Sequence, residues 1–204
     1  MTDRIKSYPS SNHYAVAGLL RCAVASMILL APFTASAWVF GNGNSYTTPF
    51  SMSANGRYVA FQSAASNLVP NDTNGQTDIF VLDTQTGSVV RVRGDSSGAQ
   101  AVGGSSTSPA ISADGTKVAV HSDATALVPD DNTNGVVDVF VHDLTTGVTE
   151  RVNVSSTGNQ TTSGWSQHPS LSANGKRIAF CSGSANLVVG DTNGCWDVFV
   201  RDLT

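Results

Sequence analysis

Charge is scarce in this sequence. Asp, Glu, Lys and Arg make up 13% of its 204 residues, against about 25% in an average soluble domain. The surface must rely on Ser, Thr, Asn and Gly, which argues against coiled coils and long-helix bundles. Glu150 is the one glutamate, so paired-carboxylate catalysis would have to use aspartates. Cysteine is limited to Cys22, Cys181 and Cys195. After residue 37 no apolar run approaches the roughly 20 residues that cross a bilayer. No stretch there has a sustained 3.6-residue apolar period. His-Glu-x-x-His, Gly-x-Ser-x-Gly and phosphate-loop patterns are missing, and Gly41-x-Gly43 lacks the third glycine of a dinucleotide site. The formal charge is -4, which repels phosphate backbones and excludes a nucleic-acid partner.

The first 37 residues read as an address. Arg4 and Lys6 open the chain, the apolar run Cys22 to Ala31 follows, and Ala35-Ser36-Ala37 completes an A-x-A site. That order marks a secretory signal. Arg21 interrupts the apolar stretch and disfavours a membrane anchor. Cleavage after Ala37 removes Arg4, Lys6 and Arg21 and leaves a more acidic chain. The expected location is periplasmic or secreted, with no membrane span after cleavage.

Beyond the leader the chain repeats itself. Ser53-Ala54-Asn55-Gly56, Ser112-Ala113-Asp114-Gly115 and Ser172-Ala173-Asn174-Gly175 are one tetrapeptide in three copies about 60 residues apart. An apolar stretch follows each, ending near Phe61, Val120 or Phe180. Thr-Asn-Gly then recurs at 73–75, 133–135 and 192–194. Next come Asp78-Ile79-Phe80-Val81, Asp138-Val139-Phe140-Val141 and Asp197-Val198-Phe199-Val200. Asp83, Asp143 and Asp202 close the motif, and Thr86-Gly87 and Thr146-Gly147 mark a further turn. β-Branched, alternating stretches between Gly-containing turns predict four short strands per copy. The fold class is therefore all-β: a partial β-propeller of three four-stranded blades of about 60 residues each, covering roughly 46–104, 105–164 and 165–204, the last incomplete. A parallel β-helix would need much shorter coils.

The blocks Ser-Ala-Asp-Gly-Thr-Lys-Val-Ala and Asp-Val-Phe-Val-His-Asp-Leu-Thr-Thr-Gly resemble the WD40-like PD40 repeats of TolB-type β-propellers. The resemblance covers about residues 46–204 and implies a propeller fold, which hosts many functions. Closed propellers have about four to eight blades. Three blades therefore leave three readings open. Further blades can lie outside this chain, Trp38-Val39-Phe40 can supply a missing strand to a second chain, giving a homodimer by blade completion, or the three blades stand as an open monomer.

Candidate sites are few. Asp130, Asn132, Asn134 and Asp138, with Gly135 at the turn, resemble the front of a calcium loop. The competing reading is a tight Asn-Gly turn with Asp side chains bonding local backbone N–H groups. Asp83, Asp143 and Asp202 stand where an Asx-turn is expected, or would form a ring of carboxylates around a channel. Cys181 and Cys195 flank one loop, and in an exported protein they are expected to form a disulfide. His168 and Trp165 could line a propeller mouth. Asn71, Asn153 and Asn159 open Asn-x-Ser/Thr sequons. The reading that follows is an exported, non-catalytic binding or scaffold module for a protein or glycan partner. The alternative is the propeller part of a larger hydrolase, peptidase or lyase whose catalytic part is absent from this chain. Exported material should begin at Trp38, and an intact mass that retains Met1 would refute the leader.

Overall fold

The computed structural model describes residues 41–92, 100, 103–129 and 135–203. The leader and Trp38-Val39-Phe40 lie outside them. The described residues form strands and turns, with no helix among them. The first sheet has the order β1 (Ser45–Tyr46), β2 (Tyr58–Ser63), β3 (Asp78–Asp83), β4 (Val89–Arg91), all neighbours antiparallel. The second repeats it as β5 (Ser106–Ile111), β6 (Lys117–Ser122), β7 (Asp138–Asp143), β8 (Thr149–Arg151). The third contains β9 (Ser166–Leu171), β10 (Arg177–Ser182) and β11 (Asp197–Asp202). Consecutive strands pair in chain order, so each sheet is one meander and one propeller blade, as the repeat predicts.

The recurring tetrapeptide makes the first turn of every blade. The hydroxyls of Ser53 and Ser172 donate to Asn55 and Asn174 Oδ1 at 2.8 and 2.9 Å, and that of Ser112 to Asp114. The same hydroxyls accept the backbone N–H of Tyr58, Lys117 and Arg177 at 2.9–3.1 Å. Gly115 and Gly175 close their turns at φ +76° and +62°, a region in which L side chains are strained. A second constraint falls on the same two residues. A Cβ on Gly115 would meet the Tyr58 ring of the preceding blade at 2.5 Å, and one on Gly175 would meet the Lys117 stem at 3.2 Å.

The strand that opens the second and third blades carries Pro109 or Pro169, which has no N–H to donate. A bulge absorbs each proline. Thr107 pairs with His121 and Ala110 with Ala119, leaving Ser108 and Pro109 against one residue. Gln167 and Ser170 bracket His168 and Pro169 in the same way. Ser108 and His168 take φ values of 53° and 56° to make the bulge.

The core lies between the blades. Ala60, Ile79 and Val81 of the first blade pack on Ile111, Val118, Val120, Leu127 and Phe140 of the second. Ala119, Val139, Val141 and Val152 of the second pack on Ile178, Phe180, Leu187 and Leu203 of the third. Burying each Val, Leu, Ile or Phe is worth roughly 1.5–3 kcal/mol, so these contacts carry most of the stability. Backbone bonds tie the same seams. Ser106 N–H reaches the Thr77 carbonyl and Ser166 N–H the Val137 carbonyl, both at 2.8 Å.

The two turn glycines of different surroundings offer a direct test. Gly87 has a φ of +73° but open space around it. Gly115→Ala should lower stability by about 1 kcal/mol or more beyond Gly87→Ala, the cost of forcing a methyl against Tyr58. Paired denaturant melts measure the difference, and equal losses would remove the blade contact from the account.

Candidate functional site

The meander sorts its connections by length. Short turns, at 53–56 and 84–87 and their repeats, occupy one end of the blades. The opposite end gathers the long segments: those joining the second and third strands, and those leading into the next blade. The two ends do different things.

The short-turn end is stapled by ion pairs. Arg57 Nη2 lies 2.9 Å from Asp83, Lys117 Nζ 2.8 Å from Asp143, and Arg177 Nε 2.6 Å from Asp202. Lys117 and Arg177 stand opposite their aspartates in register, whereas Tyr58 occupies that place in the first blade and Arg57 substitutes from one residue earlier. Asp83 also accepts the Gln85 N–H at 2.9 Å, and Asp143 the Thr145 N–H at 2.8 Å. These are the expected Asx-turns. The hydrogen bond from Arg57 holds the Asp83 carboxyl below the usual carboxylate range. Burial opposes ionisation of Asp143, but Lys117 and Thr145 outweigh it and keep its pKa low. Asp83 and Asp143 end the third strands of their blades and are occupied there, rather than gathered around a channel.

The long-loop end is organised by a second aspartate. Asp138 is buried and accepts from Asn153 Nδ2 at 2.5 Å, Thr161 Oγ1 at 3.2 Å and Gln160 Nε2 at 3.3 Å, with Arg151 Nε at 3.4 Å. Asp78 repeats the arrangement with Gln100 Nε2 at 3.1 Å and Arg91 Nη1 at 3.8 Å. Asp72 joins it, accepting from Gln100 Nε2 at 2.8 Å. Burial raises the Asp78 pKa, partly offset by Gln100. Asp197 has a simpler partner, Asn193 Nδ2 at 2.9 Å. Of the proposed calcium ligands, Asp130, Asn132 and Asn134 lie outside the described residues. Asp138 is described, and its oxygens already serve the side chains above. Among the described residues no three His, Cys, Asp or Glu form a group that could hold a metal. Asn153 of the second sequon is itself buried.

Two features of this end were legible in the sequence but passed over. Arg91-Val92 and Arg151-Val152 precede Gln100 and Gln160 by the same spacing, the set that closes on Asp78 and Asp138. Ser63, Ser122 and Ser182 end the second strand of each blade. Their hydroxyls meet those of Ser45, Ser106 and Ser166 at 2.8–3.1 Å and accept the N–H of Ala65, Ala124 and Ser184 at 3.1 Å. Recurrence at a 60-residue spacing was the available signal.

The cysteines differ from expectation. Both are free thiols, Cys181 half-buried and Cys195 exposed. Cys181 stands opposite Val198, three residues beyond Cys195. Cys195 itself lies in the turn before β11, outside the β10–β11 register. The expected link is not formed.

His121 bridges two blades. Its Nε2 is 2.8 Å from Thr107 Oγ1, its ring meets that of His168 edge-on at 6.0 Å, and its buried Nδ1 has no hydrogen-bond partner among the described residues. Gln62 holds the same place one blade earlier and accepts the Ser108 N–H at 2.9 Å. Burial, with His168 beside it, pushes the His121 pKa down to about 4. The folded state thus disfavours the imidazolium. The stabilisation is complete above the model-peptide value near 6.5 and is lost as pH falls toward 4. Melting temperatures should drop over that window by an amount equivalent to roughly 2–3 kcal/mol. His121→Gln should flatten the slope, and an unchanged slope in that variant would assign it elsewhere.

Trp165, just before β9, is half-exposed at the long-loop end, and its carbonyl accepts the Gly183 N–H of the neighbouring loop at 3.1 Å. Val188 and Val189 project from that loop, Val189 fully exposed. No helix among the described residues is long and apolar enough to cross a membrane.

No family model and no curated protein matches this chain. Solved structures do. TolB from Acinetobacter baumannii is 19% identical with a TM-score of 0.43, over 83% of this chain and 31% of that one. A putative TolB from Agrobacterium tumefaciens is 16% identical with a TM-score of 0.46, over 79% of this chain and 46% of that one. The β-propeller domain of the Trilobed protease from Pyrococcus furiosus is 15% identical with a TM-score of 0.40, over 70% of this chain and 35% of that one. The chain spans less than half the length of each. The likeness is one of fold, and the blade architecture rests on the three meander sheets themselves.

Proposed function

We propose that this chain is an exported, non-catalytic β-propeller module that binds a protein or glycan through its long-loop end. The observation that carries this reading is the division of labour between the two ends. At the short-turn end the recurring Ser, Asn and Asp side chains close turns and pair with Arg57, Lys117 and Arg177. At the other end the buried Asp78 and Asp138 anchor the base of the loops, while the loops above present exposed Asn, Thr, Val and Trp side chains. Loops held on a rigid sheet scaffold are where binding residues concentrate. A half-exposed Trp165 and a fully exposed Val189 at the same end of the blade suit an apolar protein patch or the face of a sugar ring. Export rests on the pattern of residues 1–37.

A glycan array, together with pull-downs from envelope protein followed by titration of the purified partner, tests the reading. Trp165→Ala should weaken the resulting complex roughly tenfold. Lys176→Ala at the short-turn end should leave it unchanged. The opposite pattern would move the contact surface to the stapled end.

A further inference from the structure

Asparagine stands before glycine at 42–43, 55–56, 74–75, 134–135, 174–175 and 193–194, and the fold treats these pairs differently. Asn134 lies outside the described residues. Asn55, Asn74, Asn174 and Asn193 each accept the backbone N–H two residues on, from Arg57, Gln76, Lys176 and Cys195 at 2.8–3.2 Å. Such an Asx-turn folds the side-chain amide back over the peptide that links it to glycine, and the accepted N–H draws electron density from Cγ. Asn42 is held elsewhere: its Oδ1 accepts the Ser66 N–H at 2.8 Å and its Nδ2 donates to the Ser66 hydroxyl at 3.0 Å. The glycine nitrogens separate the remaining four. Gly56 and Gly175 donate their N–H to the Ser53 and Ser172 carbonyls at 2.9 and 3.0 Å. Gly75 and Gly194 make no such bond among the described residues. A Cβ built on Gly56, Gly75 or Gly194 would meet nothing within 4 Å, so Asn55 and Asn74 differ in that one hydrogen bond rather than in room. Exposure would choose the other way, since Asn55 is exposed and Asn74 half-buried.

We propose that Asn74 and Asn193 are self-modification sites, at which the backbone nitrogen of the following glycine converts the side-chain amide to a carboxylate. The glycine nitrogen gives its proton to water and bonds to the asparagine Cγ. The Cγ–Nδ2 bond breaks, and ammonia leaves with a proton from water, closing a succinimide. Water then opens that ring at one of its two carbonyls, yielding aspartate or isoaspartate. A glycine N–H held by a carbonyl must first be released, which protects Asn55 and Asn174. The product has different consequences at different turns. Asp114 shows that the Ser-Ala-Asx-Gly turn accepts a carboxylate, with the Ser112 hydroxyl and Thr116 N–H donating to it. Position 74 is built for an amide. Asn74 Nδ2 donates to the buried Asp78 at 3.4 and 3.5 Å. Asp72 shares Gln100 with Asp78, and Arg91 Nη1 stands 3.6 and 3.8 Å from the two. A carboxylate at 74 removes a donor and adds a third negative charge beside that single guanidinium. Isoaspartate also lengthens the main chain by one methylene. Conversion at Asn74 therefore loosens the base of the loop between β2 and β3 as the protein ages. Asn193, whose Nδ2 donates to Asp197 at 2.9 Å, repeats the arrangement. This inference does not depend on the loop-end binding reading.

Peptide mapping of the exported full chain, aged in mildly alkaline buffer made with oxygen-18 water, tests the chemistry. Asn74 and Asn193 should convert roughly tenfold faster than Asn42, Asn55 and Asn174, the cost of first opening one hydrogen bond. Their products should carry the oxygen label and split into aspartate and isoaspartate. In denaturant the sites should convert at similar rates, because the ranking belongs to the fold. Equal rates in the folded protein, a ranking by exposure, or a ranking that persists in denaturant would overturn the proposal. Denaturant melts test the consequence. Asn55→Asp should leave stability unchanged, as Asp114 implies, whereas Asn74→Asp should lower it. Burial already raises the Asp78 pKa, with Asp72 adding to it and Gln100, Arg91 and Asn74 opposing. A carboxyl with a raised folded pKa gains stability on protonation, so the Asn74→Asp loss, taken relative to the parent chain, should be largest at neutral pH and shrink as pH falls. An Asn74→Asp chain as stable as the parent, or a loss independent of pH, would remove the loosened loop from the account.

Discussion

The contact between one blade and the next is the constraint on which the rest of the structure depends. A four-stranded sheet of this composition has apolar side chains on both faces, and neither face can be left to water. Phe140 turns to the first blade while Val139 and Val141 turn to the third. Period-2 alternation of side chains would leave one face polar in a half-solvated sheet. Here both sets are apolar, and the sheets must stack. The scarcity of charge follows from the same geometry, because much of each strand is interior.

Polar groups work around that stack. The turn serines, the basic-aspartate staples and the paired serines at the second-strand ends bring the backbone to one geometry in every copy. Gly115 shows how local and tertiary demands meet: its turn needs a left-handed φ, and the Tyr58 ring leaves no room for a side chain. The buried Asp138 gathers Asn153, Thr161 and Gln160 from the segment that leaves the sheet and Arg151 from the end of β8. The loop bases are thereby held while the tips stay exposed, the arrangement a binding surface needs.

Variation among the copies is concentrated where blades differ in their neighbours. The position held by Gln62 and His121 faces the bulge of the following blade, accepting a backbone N–H in the first copy and meeting an imidazole in the second. Partial burial, with His168 beside it, holds the His121 pKa low. Two copies of one motif can therefore respond differently to acid, although their strands are the same.

The sequence by itself determined the strand order, the turns and the blade repeat. These depend on local spacing: Gly after Ala-Asn or Ala-Asp, alternation in Asp-x-Phe-Val, and an aspartate at the head of each hairpin. The Asx-turns at Asp83 and Asp143 were legible for the same reason. Only the tertiary structure decided which partners the side chains meet. Cys181 and Cys195 flank one loop in sequence, but Cys181 sits in β10 opposite Val198 while Cys195 stays in the exposed turn before β11, and both are free thiols. The Asp138 carboxylate accepts from Asn153 and Thr161, 15 and 23 residues away, partners that local spacing does not announce. The exposure of Val198 and Val200 was equally hidden, since their motif matches those of the buried strands. Burial is set by the neighbouring blade, and a residue's own spacing carries no record of whether that neighbour is present.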